Sequence, residues 1–175
     1  MPATVRDSDD LISRAASGDE AAFETLIRPE LQPAYRLAVV LLDDPTAAED
    51  ALQEATFKAW RHLGRLRPGT ELRPWFLTVV ANQCRSERRR RWWRVLRGLE
   101  RWEAAASEPD VAGWDVEQAL LGLSPEDRAA VFLRFYEDLA LQEVARVLGI
   151  STTAARSRVH RALRRLRLKL DPERT

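Results

Sequence analysis

Residues 149–170 read GISTTAARSRVHRALRRLRLKL. The reading of this stretch decides the fold. At 100° per residue, Ala155, Val159, Ala162, Leu163, Leu166 and Leu170 share one side of a helix. Arg156, Arg158, Arg161, Arg164, Arg165 and Arg167 spread over the rest. Ser151 stands where an N-cap is wanted, and Gly149 sits just past the preceding helical run, Leu141 to Leu148. A helix, a tight turn containing glycine and a basic helix are the sequence form of a helix-turn-helix. Such a motif presents the N-terminal residues of its second helix to the major groove. Here those are Thr152, Thr153, Arg156 and Ser157, all able to hydrogen-bond bases or phosphates. A basic amphipathic helix alone reads equally as a solvated face or a membrane-surface segment. The turn favours DNA, and the basic face lacks the large apolar residues suited to a bilayer interface.

Outward from this motif, the composition bounds the rest. The 175 residues are 45% hydrophobic and 31% charged, which fits a soluble globular protein of one domain or two small ones. The formal net charge is only +1, but the charge is segregated. Eight arginines lie between Arg85 and Arg101, while acids collect around Asp43–Glu54 and Asp115–Asp138. A nucleic-acid surface beside an acidic protein-docking surface is implied. Cys84, the one cysteine, excludes an internal disulfide and reads as a small core or boundary residue in a reducing cytosol. Neither a signal peptide nor an 18-residue apolar run occurs, so a cytoplasmic protein without a membrane segment is expected.

From the N-terminus, residues 1–6 read as frayed. A helix is expected from about Ser8 to Gly18, and Asp19 caps a longer one in which Pro29 and Pro33 should cause a bend or break. Asp44-Pro45 opens a third helix, running to about Leu63. Gly64 to Thr70 reads as a loop. A helix from Arg73 to Arg97 follows, apolar along Trp75, Phe76, Val79, Val80 and Gln83 and then rich in arginine. Trp92 and Trp93 interrupt the arginines, either covering a core edge or offering stacking faces for bases. Glu103 to Gly113 has linker composition. Helical runs are then expected at Asp115–Leu121, Pro125–Tyr136 and Leu141–Leu148, before the basic helix. No period-two alternation is sustained, so the fold class is all-α: two helical domains, 1–101 and 114–175, joined by a flexible linker, 102–113.

DDPTAAEDALQEATFKAWRHL (43–63) and LRPWFLTVVANQCRSERRRR (72–91) together resemble region 2 of the extracytoplasmic-function sigma factors, members of the sigma-70 family. LSPEDRAAVFLRFYEDLALQEVARVLGISTTAARSRVHRALRRL (123–166) resembles region 4 of the same family. The resemblance implies an RNA polymerase subunit that brings the core enzyme to promoters and helps to open the DNA. It implies that Asp50, Gln53 and Glu54 dock the β′ clamp helices; at i, i+3 and i+4 they share one helix face. By the same likeness the β flap is a second contact on core polymerase.

For the promoter's −10 element, the resemblance points to the loop from His62 to Arg73, including Arg65, as the part that captures a flipped base. Asn82 would contact a base or sugar edge, and Arg85, Arg88, Arg89 and Arg91 would hold phosphates. For the −35 element it points to Arg156, Ser157, Arg158, His160 and Arg161 beside Thr152 and Thr153. Two departures are visible. Thr153, Ala154 and Ala155 stand where the family often has Gly-Thr-Val, and Ala140 stands where a serine usually caps the first helix of the motif, which should fray more as a result. An anti-sigma protein is the expected regulatory partner, and Thr175 is expected to leave no room for a further regulatory domain. No cofactor, metal or catalytic residue is expected, because His62 and His160 belong to no ligand spacing and no glycine-rich phosphate loop occurs. The competing reading, a helix-turn-helix repressor or response-regulator effector, accounts for 115–170 but leaves 43–101 without a role.

Overall fold

The computed structural model describes residues 5–66, 69–96, 120 and 122–170. The expected linker and the run Asp115–Leu121 lie outside these, apart from Leu120. Among the described residues, regular structure is helical throughout. Helices α1 (Val5–Ala16), α2 (Glu20–Leu42), α3 (Pro45–His62) and α4 (Leu72–Leu96) form the N-terminal module. Helices α5 (Pro125–Val131), α6 (Leu141–Leu148) and α7 (Thr152–Leu170) form the C-terminal one. A 3₁₀ turn covers Leu63–Arg65, and a π turn covers Phe132–Tyr136.

The punctuation residues act largely as their chemistry dictates. Asp19 Oδ1 accepts from the Ala22 N–H at 3.0 Å, so α2 starts capped. That bond comes first among the causes holding the Asp19 carboxyl below its ordinary range, followed by the hydrogen bond from Arg14. Two adjacent aspartates divide the next junction. Asp43, at φ 52°, ends α2 in the left-handed region, and Asp44 Oδ1 caps α3 by accepting from the Ala47 N–H at 3.1 Å. Gly149, at φ 64°, ends α6: its N–H reaches the Arg146 carbonyl at 3.2 Å, and the Ile150 N–H reaches Ala145 at 2.9 Å, a Schellman closure. Ser151 Oγ then caps α7 by accepting from the Ala154 N–H at 3.1 Å.

Two expectations are corrected, and a third is refined. α1 begins at Val5, not Ser8, so Val5 and Arg6 are helical; a serine inside a helix costs only a fraction of a kcal/mol and forces no start. The break allowed for at Pro29 and Pro33 does not occur, and α2 is assigned helix through both. Each proline removes one backbone hydrogen bond, but buried Leu26 and Ile27 on one side and Ala34, Leu37 and Ala38 on the other anchor the helix across the defect. The helical run expected from Pro125 to Tyr136 is present, but it is α-helical only to Val131. After Val131 it widens, with the Glu137 N–H bonded to Phe132 O at 3.1 Å and the Leu139 N–H to Leu133 O at 3.0 Å. The wider turn keeps Leu133 and Glu137 buried while Phe135 and Tyr136 face outward.

The two modules share one core. Leu37, Ala38, Phe76, Leu77, Val80 and Cys84 belong to the same buried cluster as Ala129, Ala130, Leu133, Val144, Val147 and Val159. A smaller cluster of Ala15, Ala22, Leu26 and Leu63 seats α1. Cys84 is a core residue, as expected, and burial pushes its thiol up to about 12. Polar ties cross between the modules: Arg36 to Tyr136, Arg73 to Glu137, Arg85 to the Val147 carbonyl, Arg88 to Glu126, and Arg128 to Asp43.

Candidate nucleic-acid and protein interfaces

The helix-turn-helix assembles as its sequence pattern requires. Ala155 and Ala162 are fully buried and Val159 nearly so, which turns the first two turns of α7 outward along Thr153, Arg156, Ser157 and His160, all exposed. Thr152 and Arg158 are half-buried. Arg161 lies 3.7 Å and Arg165 3.6 Å from the buried carboxylate of Asp127 on α5. Arg161 therefore leans toward the scaffold, and the exposed head of α7 is left to Thr153, Arg156, Ser157 and His160. The missing serine cap at Ala140 is partly made good: Glu143 accepts the Ala140 N–H at 2.8 Å.

On α3, Asp50, Gln53 and Glu54 are all exposed on one face, as their spacing predicts. An open groove of about 540 Å³ adjoins them, lined by Phe23, Leu31, Leu52, Phe57 and Trp60 with Glu20, Glu49, Gln53 and Thr56 at its edges. Phe23 and Trp60 pack edge to face with centroids 4.9 Å apart, and Phe57 is 58% exposed. Trp60 is half-buried, and the groove has no signature in either helix alone, because Phe23 comes from α2 and only the crossing of α2 and α3 brings the rings together.

The residues expected at the −10 element are spread out. His62 ends α3 and Arg65 ends the 3₁₀ turn; both are exposed. Arg73 and Arg91 bracket about 27 Å of α4 at 1.5 Å per residue, so they border a strip rather than a pocket. Asn82, Arg85 and Arg89, at i, i+3 and i+7, form its exposed stripe. Much of the strip is engaged within the chain. Asn82 Oδ1 accepts from Arg85, whose other amino group points at the Val147 carbonyl at 3.4 Å. Burial lowers the Arg85 guanidinium from its ordinary value. Arg88 donates to Glu126. Burial works to raise that carboxyl, but the bonds from Arg88 and from its own N–H, with the charges of Arg88 and Arg158, hold it below the ordinary range. Arg73 binds Glu30 at 2.7 Å and approaches Glu137 at 3.6 Å. Arg91 lies 3.3 Å from Asp44. Trp92 is 53% exposed; the Trp93 side chain lies outside the described residues. The sequence does not announce Glu126 and Glu137 as partners of Arg88 and Arg73, Asp127 as the partner of Arg161 and Arg165, or Asp43 as the partner of Arg128, since pairings 34 to 85 residues apart leave no local signal.

Among the described residues, no helix is long and apolar enough to cross a membrane, and no His, Cys, Asp and Glu group could hold a metal ion.

Residues 26–94 match the family model of Sigma-70 region 2, and residues 114–166 match that of Sigma-70, region 4. A protein named ECF RNA polymerase sigma factor SigL, of Mycobacterium tuberculosis, is 31% identical over 170 residues, covering 91% of this chain and 95% of that one. The chain belongs to the extracytoplasmic-function sigma factors. SigE of Mycolicibacterium smegmatis is 33% identical over 165 residues; the alignment takes in 87% of this chain but only 64% of the longer relative. Among solved structures, the sigma factor RpoE of Bartonella quintana, in complex with the anti-sigma factor NepR, superposes with a TM-score of 0.74 at 27% identity, over 87% of this chain and 98% of that one. CnrH, solved with the cytosolic domain of CnrY, shares the fold at a TM-score of 0.67 and 24% identity. Membership of the sigma factors accounts for both halves of the chain, whereas a lone repressor accounts for one.

Proposed function

We propose that this sigma factor is a dissociable subunit of bacterial RNA polymerase that docks core enzyme through α3 and reads promoter DNA through α4 and α7. The observation that carries the reading is the coexistence, in one chain, of an acidic face bordered by an apolar groove and a helix-turn-helix with an exposed basic head. Asp50, Gln53 and Glu54 offer acceptors to basic partners on the β′ clamp helices. The groove beside them supplies the dry contact area that turns attraction into affinity. In the C-terminal module, Arg156 and Arg158 are the bidentate donors suited to guanine at the −35 element, with Thr152, Thr153, Ser157 and His160 around them.

In the N-terminal module, His62, Arg65, Asn82, Arg85, Arg88 and Arg89 form the −10 strip. Arginines hold phosphates there while the turn after α3 receives a flipped base, at a cost of a few kcal/mol in lost stacking. The division of labour follows residues 1–101 and 114–175. An anti-sigma protein, such as the NepR bound to the RpoE relative, is the proposed regulator. The chain works in the cytoplasm, without catalytic groups of its own. Reconstitution with core polymerase, followed by mapping of transcript starts, tests this reading. The expected result is a stable complex and initiation behind a shared pair of −10 and −35 motifs; a chain that neither binds core nor directs initiation overturns it.

A further inference from the structure

Between Thr152 and Leu170, α7 carries six arginines and one lysine and not one acid. The helical period divides the arginines into two sets. Arg156, His160, Arg164 and Arg167, at i, i+4, i+8 and i+11, share one side, and all four are exposed. Arg158, Arg161 and Arg165, at i, i+3 and i+7, form a second stripe, roughly 140° away around the axis at 100° per residue. This second stripe meets α5. Asp127, in the first turn of α5 with a side chain only 7% exposed, stands 3.7 Å from the Arg161 guanidinium through one carboxylate oxygen and 3.6 Å from that of Arg165 through the other. The two arginine side chains are still 51% and 54% exposed, so packing does little to fix their direction and the carboxylate decides it. Asp127 itself is anchored: its N–H donates to the Ser124 Oγ at 3.2 Å, and the next turn of α5 puts Ala129 and Ala130 fully in the core.

We propose that Asp127 is a specificity-determining residue, which holds Arg161 and Arg165 off DNA and leaves the phosphate grip of α7 to Arg164 and Arg167. This role rests on the reading of α7 as the helix that meets the −35 element. Phosphate contacts add affinity for any sequence alike, so where they sit decides which orientation of the protein they favour. Arg156 and Arg167 are about 16 Å apart along α7 at 1.5 Å per residue. With the first turns of the helix inside a major groove about 12 Å wide, Arg164 and Arg167 stand at its rim, among the phosphates. They reinforce the orientation in which Arg156 meets base edges. Arg161 and Arg165, if released, would give α7 a second phosphate-binding side. The module could then settle on a duplex turned so that Arg156 meets no base. One anchored carboxylate, shared between the two guanidiniums, disfavours that orientation, and specificity is the difference in affinity between the two.

The test titrates the full chain, by fluorescence anisotropy across a salt series, against two short duplexes: one carrying the −35 motif found by mapping transcript starts, the other a scramble of it. Asp127→Asn keeps the side chain's shape and removes its charge. The scrambled duplex is expected to bind about tenfold tighter, with a salt slope steeper by about 1–2 units, at roughly 0.9 per phosphate gained. The −35 duplex should gain less, so discrimination between the two falls. Adding Arg161→Ala and Arg165→Ala to Asp127→Asn should return slope and discrimination to those of the unaltered chain. Arg164→Ala and Arg167→Ala should each make the slope shallower by about 0.9 on the −35 duplex. An unchanged slope in Asp127→Asn overturns the assignment, and so does a triple variant that keeps the steeper slope, since the lost carboxylate would then act on DNA without the two arginines. Arg164→Ala and Arg167→Ala alter exposed positions and test the proposal however well Asp127→Asn folds: unchanged slopes in both overturn it too. Run-off transcription with core polymerase separates the two levels. If the unaltered chain fails to initiate, the functional reading falls; if it initiates normally while the slopes never respond, only the role of Asp127 falls.

Discussion

Arg85 of α4 lies against Gly149, in the turn between the two helices of the helix-turn-helix: a Cβ on Gly149 would stand 3.3 Å from the Arg85 Nη2. One glycine thus meets two demands, a left-handed φ of 64° that closes α6 and room for an arginine from the other module. Gly149→Ala is expected to lower stability by about 1–2 kcal/mol through the backbone alone. Thermal denaturation followed by circular dichroism should show a midpoint roughly 2–8 °C lower. Gly149→Asn should lose less, because asparagine tolerates the left-handed region; equal losses would point to the arginine contact, not the φ angle, as the cause.

Leu133 is fully buried at the π turn, in the core that both modules share. Leu133→Ala is expected to cost about 2–5 kcal/mol, the range for a leucine deleted from a close-packed interior. Urea titration checks this, and a loss below about 1 kcal/mol would mean that the site collapses freely or packs loosely.

Glu137, with a side chain only 4% exposed, has its carboxyl raised above the ordinary value, chiefly by burial, with Glu30 adding to the rise and Arg73 and Arg36 opposing it. The folded chain therefore holds this proton more tightly than the unfolded chain does. As pH climbs from the ordinary carboxylate range through the raised value, the unfolded state ionises first and Glu137 draws stability away from the fold. Glu137→Gln is expected to match the unaltered protein at low pH and to exceed it in stability at neutral pH. Denaturation midpoints across pH 4–8, about the range in which carboxyl linkage acts, would reveal the opposite trend if Arg73 dominated instead.

On α7, Arg156 is exposed while Arg158 is half-buried with its charge near Glu126. Arg156→Ala is expected to lower −35-dependent transcription by about 5- to 150-fold, the equivalent of 1–3 kcal/mol for a bidentate base contact. Arg158→Ala should also weaken transcription, but by less. In vitro transcription from a mapped promoter decides the order, and full activity of Arg156→Ala would remove it from the reading helix's contacts.

Glu54→Lys reverses charge on the exposed face of α3, beside the groove of Phe57 and Trp60. Retention of core polymerase in a pull-down is expected to fall about tenfold or more, since like charges across an interface cost several kcal/mol. Undiminished retention would move the docking surface off α3.

How much of this was legible beforehand follows the range of each interaction. Asp19, Asp44 and Ser151 announce their helices because a cap acts over three residues, and each does accept the backbone N–H expected of it. The burial of Ala155, Val159 and Ala162, and the shared face of Asp50, Gln53 and Glu54, follow from the helical period alone. The unbroken course of α2 through Pro29 and Pro33 did not, because local propensity predicts a bend or a break and only packing on both sides of the prolines keeps the helix continuous.

By itself, then, the sequence determined where helices begin and end, which face of each is apolar, and which exposed residue types could meet DNA or protein. Tertiary structure alone decided that acids around Glu126 and Glu137 spend their charge on arginines of the N-terminal module. It also decided that α5 and α6 cover the arginine side of α4. Periodicity and capping are written within one or two turns of chain, whereas a pairing such as Arg128 with Asp43, 85 residues apart, exists only once two helices have packed.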